Sequence, residues 1–245
     1  MPEHPAKFTP VILKVIGDAL SDEACRLGHE VQVLDPFAGT GLIHDLAKPG
    51  LIDTYGIEIE PEWAEMHPAT EVGDATDMAF ESLSFDAIAT SPCYGNRMAD
   101  HHEAKDDSKR ITYRHRLGRA LSENSAGKIH WGVKYEEFHE KAWTEADRVL
   151  RPGGLFVLNA KNFHRTRTVK KKRVQEVVDV VGWHHDYLTS LGYATEADIA
   201  VPVRGMGYGQ NGKKRIGHER VIVMRKRSAP GHPGLLGLHH RVDTQ

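Results

Sequence analysis

The chain has 245 residues, 40% of them hydrophobic, and a formal net charge of -2 at pH 7. This length suits one α/β domain with insertions and is sufficient to bury a sizeable core. No apolar run reaches the roughly 18 residues of a membrane helix, and two widely separated cysteines, Cys25 and Cys93, argue against a disulfide framework.

The first ninety residues alternate between helix-like and strand-like stretches. Thr9 and Pro10 are typical of a helix start, so a helix is predicted over residues 11–20. Further helices are predicted at 42–47 and 61–67. Apolar runs predict four strands, at 31–35, 54–59, 71–72 and 85–90. This alternation favours a parallel sheet with helices on both faces.

The middle of the chain begins with a long irregular region. Residues 96–134 are polar and basic, with little periodicity. A helix is predicted at 135–150, where Pro152 and the glycines after it act as breakers. A strand is then predicted at 155–158, and residues 169–191 are predicted to be mostly helical.

The chain ends in two predicted strands, 196–203 and 220–224, around a glycine-rich segment at 205–217. They should pair antiparallel because no helix lies between them. We therefore expect one domain over residues 1–227 with a basic insert at about 96–134, followed by a flexible tail at 228–245.

The most informative segment follows the first predicted strand and reads DPFAGTG, from Asp35 to Gly41. A buried strand, a tight glycine turn and a helix start form a nucleotide-sized site in α/β sheets. Gly39 and Gly41 let the backbone turn sharply and approach a ligand closely. The spacing fits neither the dinucleotide fingerprint nor the phosphate loop.

DPFAGTG resembles motif I of the S-adenosylmethionine-dependent methyltransferases, in the DPFxGxG form found in methylases of exocyclic amino groups on DNA bases. The resemblance implies a class I methyltransferase fold, α/β with a seven-stranded, mostly parallel sheet and an antiparallel last hairpin. It also implies S-adenosylmethionine as the cofactor, with contacts from Asp35, Pro36, Phe37, Gly39 and Gly41.

Further cofactor contacts are predicted at neighbouring strand ends. An acid after the second strand of such a sheet accepts hydrogen bonds from ribose hydroxyls, and the resemblance assigns this place to Glu58. Asp74 corresponds to an acid that meets the adenine amino group in related enzymes, although a common Gly-Asp turn also explains it. The segment around Phe8 resembles one that packs beside the methionine end, and a simple helix cap explains it equally well.

The segment Thr90-Ser91-Pro92-Cys93-Tyr94 follows the fourth predicted strand and resembles motif IV of the amino-methyltransferases, (Ser/Asp/Asn)-Pro-Pro-(Tyr/Phe). An exocyclic amine is a poor nucleophile because its lone pair is delocalised into the ring. The resemblance implies that the Ser91 hydroxyl and the Pro92 carbonyl accept its N–H hydrogens, and that Tyr94 stacks on a flipped base. Catalysis is then chiefly alignment, and serine favours cytosine N4 over adenine N6.

Cys93 takes the place of the second proline of motif IV, which predicts a less rigid loop. A Pro-Cys pair here also resembles the cytosine-C5 DNA methyltransferases, in which the cysteine attacks the ring as a thiolate. Those enzymes carry a glutamate after the next strand, where this chain has Asn159, and they normally lack a proline at the place of Pro36. An unreactive Cys93 is favoured, and the nucleophile is the alternative.

Charge divides the chain into an acidic and a basic part. Residues 1–90 hold 4 Lys/Arg and 17 Asp/Glu, whereas residues 91–245 hold 28 Lys/Arg and 17 Asp/Glu. A nucleic acid that meets only the second part explains this asymmetry, as does an uneven solvated surface. The predicted contact segments are 96–134, 161–173 and 205–217. In the first of them, Tyr113 and Trp131 lie among basic residues, a pattern that suits base stacking.

These features favour a DNA methyltransferase of exocyclic amino groups. The alternatives are an RNA enzyme, since Tyr94-Gly95 also resembles guanine-N2 methyltransferases of tRNA, and a non-catalytic nucleic-acid-binding module. None of the 16 histidines has a partner at a convincing metal-ligand spacing, so no metal is expected. The N-terminus does not resemble a signal peptide, and we expect a cytoplasmic protein of bacterial or phage origin.

Overall fold

The computed structural model describes residues 8–95, 113–170, 172–203 and 216–228, with the exception of the His115 side chain. Within these residues the α-helices are α1 (Pro10–Leu27), α2 (Pro61–Ala64), α3 (Tyr113–Leu117), α4 (Val133–Val149) and α5 (Val180–Ser190). The strands are β1 (Val31–Asp35), β2 (Ile52–Glu58), β3 (Thr70–Val72), β4 (Phe85–Thr90), β5 (Leu150–Ala160), β6 (Phe163–Val169), β7 (Lys172–Val178), β8 (Tyr193–Pro202) and β9 (His218–Lys226).

Seven strands form one sheet in the order β3-β2-β1-β4-β5-β9-β8. The pairs among β1 to β5 are parallel, and β9 runs antiparallel to both of its neighbours. The predicted fold class is therefore confirmed. Because parallel strands end at the same edge of a sheet, the segments that follow β1, β2, β4 and β5 meet there.

Helices cover both faces of this sheet. Helix α1 begins at Thr9, whose side chain accepts a hydrogen bond from the Ile12 N–H at 3.4 Å, as the sequence predicts for a cap. Its buried residues Ile12, Ile16 and Leu20 pack on one face. On the other face, α4 and α5 contribute buried residues such as Trp143 and Leu188.

The prediction of a mostly helical segment over residues 169–191 is wrong for the first half of this range. Strands β6 and β7 form a separate antiparallel ribbon there, and only α5 is helical. Threonines and valines at alternating positions suit the two-residue period of a strand better than a helix. Lys170, at the turn, has a φ of 47° in the left-handed region, which ends any helical path.

Other differences are smaller. The segment after DPFAGTG is a 3-10 helix, Leu42–Leu46, and α2 keeps only the first turn of the helix predicted at 61–67. Residues 96–112, most of the segment 205–217 and the predicted tail beyond residue 228 lie outside the described residues. None of the described helices is both long and apolar enough to cross a membrane.

A buried ion pair fastens α1 to the last strand. Glu23 is 2% exposed and accepts hydrogen bonds from Arg26 and from Arg225 of β9, the latter at 3.0 Å. Burial alone would raise the pKa of Glu23, but the two guanidinium groups outweigh it and hold the pKa below its ordinary value. The pair therefore stabilises the fold above the unfolded pKa of a glutamate, and this contribution is lost as pH falls through the folded pKa.

We expect Glu23→Gln to lower the free energy of unfolding at neutral pH by about 1–3 kcal/mol, because Arg225 would lose a charged, buried acceptor. The control is Asp18→Asn, which removes the exposed Lys14–Asp18 pair on the same helix and should have a much smaller effect. Urea unfolding of both variants measures the difference. Equal losses in the two variants would contradict a special role for Glu23.

Candidate active site

Asp35 connects two segments at the sheet edge, DPFAGTG after β1 and the Ser91 segment after β4. It ends β1, is fully buried, and its Oδ1 accepts hydrogen bonds from the Phe37 N–H at 2.9 Å and from Thr90 Oγ1 at 2.6 Å. Thr90 ends β4, so this one carboxylate ties DPFAGTG to the Ser91 segment. Its other oxygen, Oδ2, is buried with no hydrogen-bond partner among the described residues. Burial raises the pKa of Asp35 to about 7, despite both hydrogen bonds.

The glycine turn packs against the end of β2. Gly39 and Gly41 have φ values of 56° and 80°, which other residues rarely adopt. A Cβ on Gly41 would lie only 2.7 Å from the Cβ of His67, so the turn also needs the small residue for space. The Gly39 N–H donates to Glu58 Oε2 at 3.0 Å. The predicted glycines and the predicted acid therefore form one unit.

Glu58 is held in place by backbone amides. Its second oxygen, Oε1, accepts from the Glu60 N–H at 2.9 Å. Burial, together with the negative charges of Glu60 and Asp35, raises the pKa of Glu58 to about 7. Since a carboxylate has about four lone-pair sites, Glu58 can still accept hydrogen bonds from a ligand beside the turn.

The other acids at this edge hold the insert. Glu60 is fully buried, accepts from the Ser122 N–H and Oγ at 2.9 Å, and pairs with Arg119 at 2.8 Å. Asp74 binds Thr76 through Oδ1 and accepts from Asn124 Nδ2 at 3.0 Å through Oδ2. A ligand that uses Asp74 Oδ2 as its acceptor would therefore compete with Asn124.

Two aromatic residues of the insert, Tyr113 and Trp131, pack against other aromatic side chains. Tyr113 is buried against Trp63, with ring centroids 5.6 Å apart. Trp131 packs against Tyr135 and Trp183. Tyr113 is therefore buried and Trp131 half-buried, and base stacking by these two residues stays a prediction.

A polar cluster surrounds Ser91 directly after β4. Ser91 Oγ lies 2.8 Å from Tyr94 Oη, and Asn159 Nδ2 of β5, which carries two hydrogens, lies 3.1 Å from each of these oxygens. Glu219 of β9 completes the cluster, because its Oε2 accepts from Asn159 Nδ2 at 2.8 Å and from Tyr94 Oη at 3.3 Å. Lys161 Nζ lies 4.0 Å from the other carboxylate oxygen.

Sequence reasoning missed Glu219 and gave Asn159 no role in this cluster. Glu219 is 60 residues from Asn159 and reaches it because β9 pairs antiparallel with β5, with Ala160 opposite Arg220. The only signal in the sequence is a glutamate at the start of a strand expected to pair with the strand that ends in Asn159. The register of that pairing, which the sequence does not determine, brings the two side chains together.

The remaining predicted residues have structural surroundings. Phe37 packs its ring against Phe138 and Trp143, Pro36 and Pro92 are buried, and Phe8 packs against the core under α1. For all four, contact with a cofactor or substrate stays a prediction. No group of three or more His, Cys, Asp or Glu in the described part of the chain could hold a metal ion.

Cys93 is fixed by two tyrosines. Its Sγ donates to Tyr113 Oη at 3.6 Å, and its carbonyl accepts from the Tyr135 hydroxyl at 2.7 Å. Burial raises the pKa of the Cys93 thiol to about 11, and the charge of Glu58 acts in the same direction. At neutral pH the sulfur is therefore a thiol, which is not the nucleophilic form.

Tyr135 is itself oriented by a buried chain of donors. Trp143 Nε1 donates to His184 Nδ1 at 2.9 Å, so the hydrogen of a neutral His184 must be on Nε2. That nitrogen lies 2.9 Å from Tyr135 Oη, whose own hydrogen points to the Cys93 carbonyl. Burial lowers the pKa of His184 well below its ordinary value, which maintains this arrangement. The chain of bonds restrains the loop where the second motif IV proline is missing.

No model of a known protein family matches the chain, and no curated protein matches it in sequence. Solved structures nevertheless share its fold. An S-adenosylmethionine-dependent methyltransferase from Methanosarcina mazei is 14% identical, with a TM-score of 0.53 over 91% of this chain and 100% of that one. The 1,6-didemethyltoxoflavin-N1-methyltransferase of Burkholderia thailandensis, solved with S-adenosylhomocysteine, is 15% identical, with a TM-score of 0.50 over 88% and 78%.

The cyclase SpnF is similar to the same degree, with 13% identity and a TM-score of 0.54 over 93% of this chain and 86% of SpnF. The chain therefore has the class I methyltransferase fold. Because one of these structures is a cyclase, the fold does not by itself specify methyl transfer.

The raised pKa of Asp35 gives a test of its burial. The stability that protonation of Asp35 provides is complete below the ordinary pKa of an aspartate and is lost as pH rises through about 7. Asp35→Asn keeps an acceptor for Thr90 and carries no charge. We expect its unfolding free energy, relative to wild type, to rise by roughly 1–3 kcal/mol between about pH 5 and about pH 8.

Urea unfolding at several pH values, with no ligand added, measures this trend. The matched control is Asp18→Asn, which removes an exposed carboxylate from α1. A relative stability of Asp35→Asn that does not change with pH, or that changes as the control does, would show that no charge is buried at this position.

Proposed function

We propose that this protein is an S-adenosylmethionine-dependent methyltransferase that methylates an exocyclic amino group of a flipped base. DNA is the favoured substrate and cytosine N4 the favoured atom, ahead of adenine N6. One observation carries the proposal. Ser91, directly after β4, lies in a hydrogen-bonded polar cluster and is tied to the glycine turn through Thr90 and Asp35.

The methyl donor fits the residues around the turn. Asp35 Oδ2 is a buried oxygen without a hydrogen-bond partner in the described part of the chain, and Asp35 and Glu58 are two buried carboxylates whose charge a cationic ligand would offset. Gly39 and Gly41 allow close approach of the backbone. When bound, S-adenosylmethionine supplies an electrophilic methyl group on a positively charged sulfur.

The cluster around Ser91 favours an amine as the methyl acceptor. The Ser91 hydroxyl can accept an N–H hydrogen, and Glu219 adds a carboxylate that only accepts when ionised. Such a site holds a group that carries N–H donors and turns its lone pair toward the methyl group. A ring carbon offers no such hydrogens, and the protonated Cys93 thiol does not provide the nucleophile that ring methylation requires.

The β6–β7 ribbon supports a nucleic-acid substrate. It begins at Phe163, just after Asn159 and Lys161, and thus starts beside the Ser91 cluster. Lys172 and Arg173 are exposed on β7, and a two-stranded ribbon fits the major groove of a duplex. Arg165 and Arg167 both pair with Glu176, so part of the charge in residues 161–173 is neutralised within the ribbon.

Methyl transfer is tested with labelled S-adenosylmethionine and either DNA or RNA, followed by identification of the modified nucleoside by mass spectrometry. We expect N4-methylcytosine in DNA. Ser91→Ala should slow transfer at least about 100-fold, since it removes a hydrogen bond to the reacting amine. Cys93→Ala, two residues away, is the matched control and should retain most of the activity.

Other outcomes select other functions. Label in RNA alone would support an RNA methyltransferase, and label in neither polymer would contradict a nucleic-acid substrate. Methylation at cytosine C5, complete loss of activity in Cys93→Ala and trapping by 5-fluorocytosine would together support the ring-carbon mechanism with Cys93 as the nucleophile.

The ribbon is tested by the salt dependence of DNA binding. Lys172→Ala combined with Arg173→Ala should weaken binding and reduce the slope of log K against log salt by about 2, if each side chain contacts a phosphate. The control is Lys14→Ala combined with Lys48→Ala, two cationic side chains of the acidic first part. A slope that is unchanged in the ribbon variant would contradict contact between the ribbon and DNA.

A further inference from the structure

We propose that Ser91, Tyr94 and Glu219 form a hydrogen-bonded relay that directs a lone pair of Ser91 at the substrate amine and removes the amine's proton after methylation. This inference rests on the proposed function and extends it to residues outside motif IV. It assigns Glu219 as the terminal proton acceptor and Asn159 as the residue that positions the relay.

The relay is a set of contacts around one amide nitrogen. Asn159 Nδ2 lies within 3.1 Å of Ser91 Oγ and of Tyr94 Oη, and 2.8 Å from Glu219 Oε2. Asn159 is 1% exposed, and its Nδ2 contacts these oxygens while its Oδ1 is buried with no hydrogen-bond partner among the described residues. Three oxygens from β9 and from the segment after β4 therefore converge on a fixed point at the end of β5.

Glu219 determines the direction of the hydrogen bonds. The contact between Ser91 Oγ and Tyr94 Oη, at 2.8 Å, could run either way. An ionised carboxylate can only accept, and hydrogen bonds to it are stronger than those between neutral groups. Tyr94 therefore donates its single hydrogen to Glu219, at 3.3 Å. Ser91 in turn donates to Tyr94 and accepts from Asn159.

This direction leaves Ser91 with the lone pair that amino methylation needs. The serine hydrogen points away from the substrate, toward Tyr94, and the second lone pair of Oγ is available to an amine N–H. With the opposite direction, the Ser91 hydrogen would be free to point at the amine and compete for its lone pair. The charge of Glu219 thus sets the acceptor character of Ser91 without touching the substrate.

The same hydrogen bonds provide a path for the proton that the amine loses after methylation. As the N–CH3 bond forms, the S–CH3 bond breaks with its electron pair remaining on sulfur, and the nitrogen becomes positively charged. The nitrogen then loses one proton to Ser91 Oγ, while the Ser91 hydrogen passes to Tyr94 and the Tyr94 hydrogen passes to Glu219. Serine and tyrosine end as neutral hydroxyls, neutral Glu219 returns the proton to water, and rotation of the two hydroxyl groups then restores the starting direction of the hydrogen bonds.

The charges of Lys161 and Glu219 agree with the roles that the relay assigns to Glu219 and Tyr94. Lys161 Nζ, 4.0 Å from Glu219 Oε1, supplies a positive charge beside the carboxylate. Burial, and then the Glu219 charge, raise the pKa of Tyr94 well above its ordinary value, so Tyr94 stays protonated and can pass a hydrogen along.

The first test is a double-mutant cycle on single-turnover methyl transfer. Glu219→Gln keeps the shape of the side chain but removes its negative charge and its ability to take up a proton, and Tyr94→Phe removes the link while keeping a ring for stacking. Each should slow transfer about 100-fold or more, the range of a lost acid–base group. If the two act as one relay, the double variant should be no slower than either single variant.

The second test does not depend on activity. The 13C resonance of Tyr94 Cζ, assigned by its absence in Tyr94→Phe, reports the hydrogen bonding of that hydroxyl. It should shift in Glu219→Gln and stay in place in Asp198→Asn, which removes an exposed carboxylate from the neighbouring strand β8. S-adenosylmethionine affinity and thermal stability should be unchanged in Glu219→Gln, which separates the relay from a structural role.

The outcomes distinguish the relay from the proposed function. An active wild type with Glu219→Gln at the wild-type rate, additive losses in the cycle, or an unmoved Tyr94 resonance would each overturn the relay alone. A loss of activity that is matched by a loss of S-adenosylmethionine binding would also overturn it. A wild-type protein that methylates neither polymer would overturn the proposed function, and the relay with it.

Discussion

The hydrogen bond between Thr90 Oγ1 and Asp35 Oδ1 is the constraint on which the rest of the site depends. Strands β1 and β4 are neighbours in the sheet, yet backbone pairing alone does not fix the loops that follow them. A 2.6 Å bond between buried side chains does so, because a buried carboxylate without its partners is strongly unfavourable. The glycine turn and the Ser91 segment consequently keep one relative position.

The electrostatics of this edge follow from the same carboxylate. Asp35 and Glu58 are both buried, and burial raises the pKa of each to about 7. Two anionic groups that are stable only when protonated or compensated form a natural site for a cation. Other acids at this edge have a cationic partner, since Arg119 forms ion pairs with Glu60 and with Glu62. The acidic first part of the chain thus contains acids that hold the insert and two buried carboxylates that the proposed function assigns to the methyl donor.

The sequence predicts the parts of the site that depend on backbone geometry. The four strands up to Thr90 and the antiparallel last pair follow from local sequence patterns. Gly39 and Glu58 are each predicted at the end of a strand, but the hydrogen bond between them is not. Contacts set by register or by packing were not predictable. Glu219 reaches Asn159 only through the β5–β9 pairing, and Tyr113 is buried because the insert folds back on Trp63. The ribbon at residues 163–178 was missed because basic residues mask its two-residue period.

The replacement of the second motif IV proline by Cys93 illustrates how such packing changes a chemical interpretation. A proline restricts a loop through its own ring, whereas here the Tyr135 hydroxyl holds the Cys93 carbonyl and His184 holds Tyr135. Side chains of α4 and α5 therefore restrain the loop in place of a proline ring. The Cys93 sulfur lies in a buried setting and contacts Tyr113. A side chain used in this way packs the loop, and the proposed function accordingly assigns the acceptor chemistry to Ser91 and the groups around it.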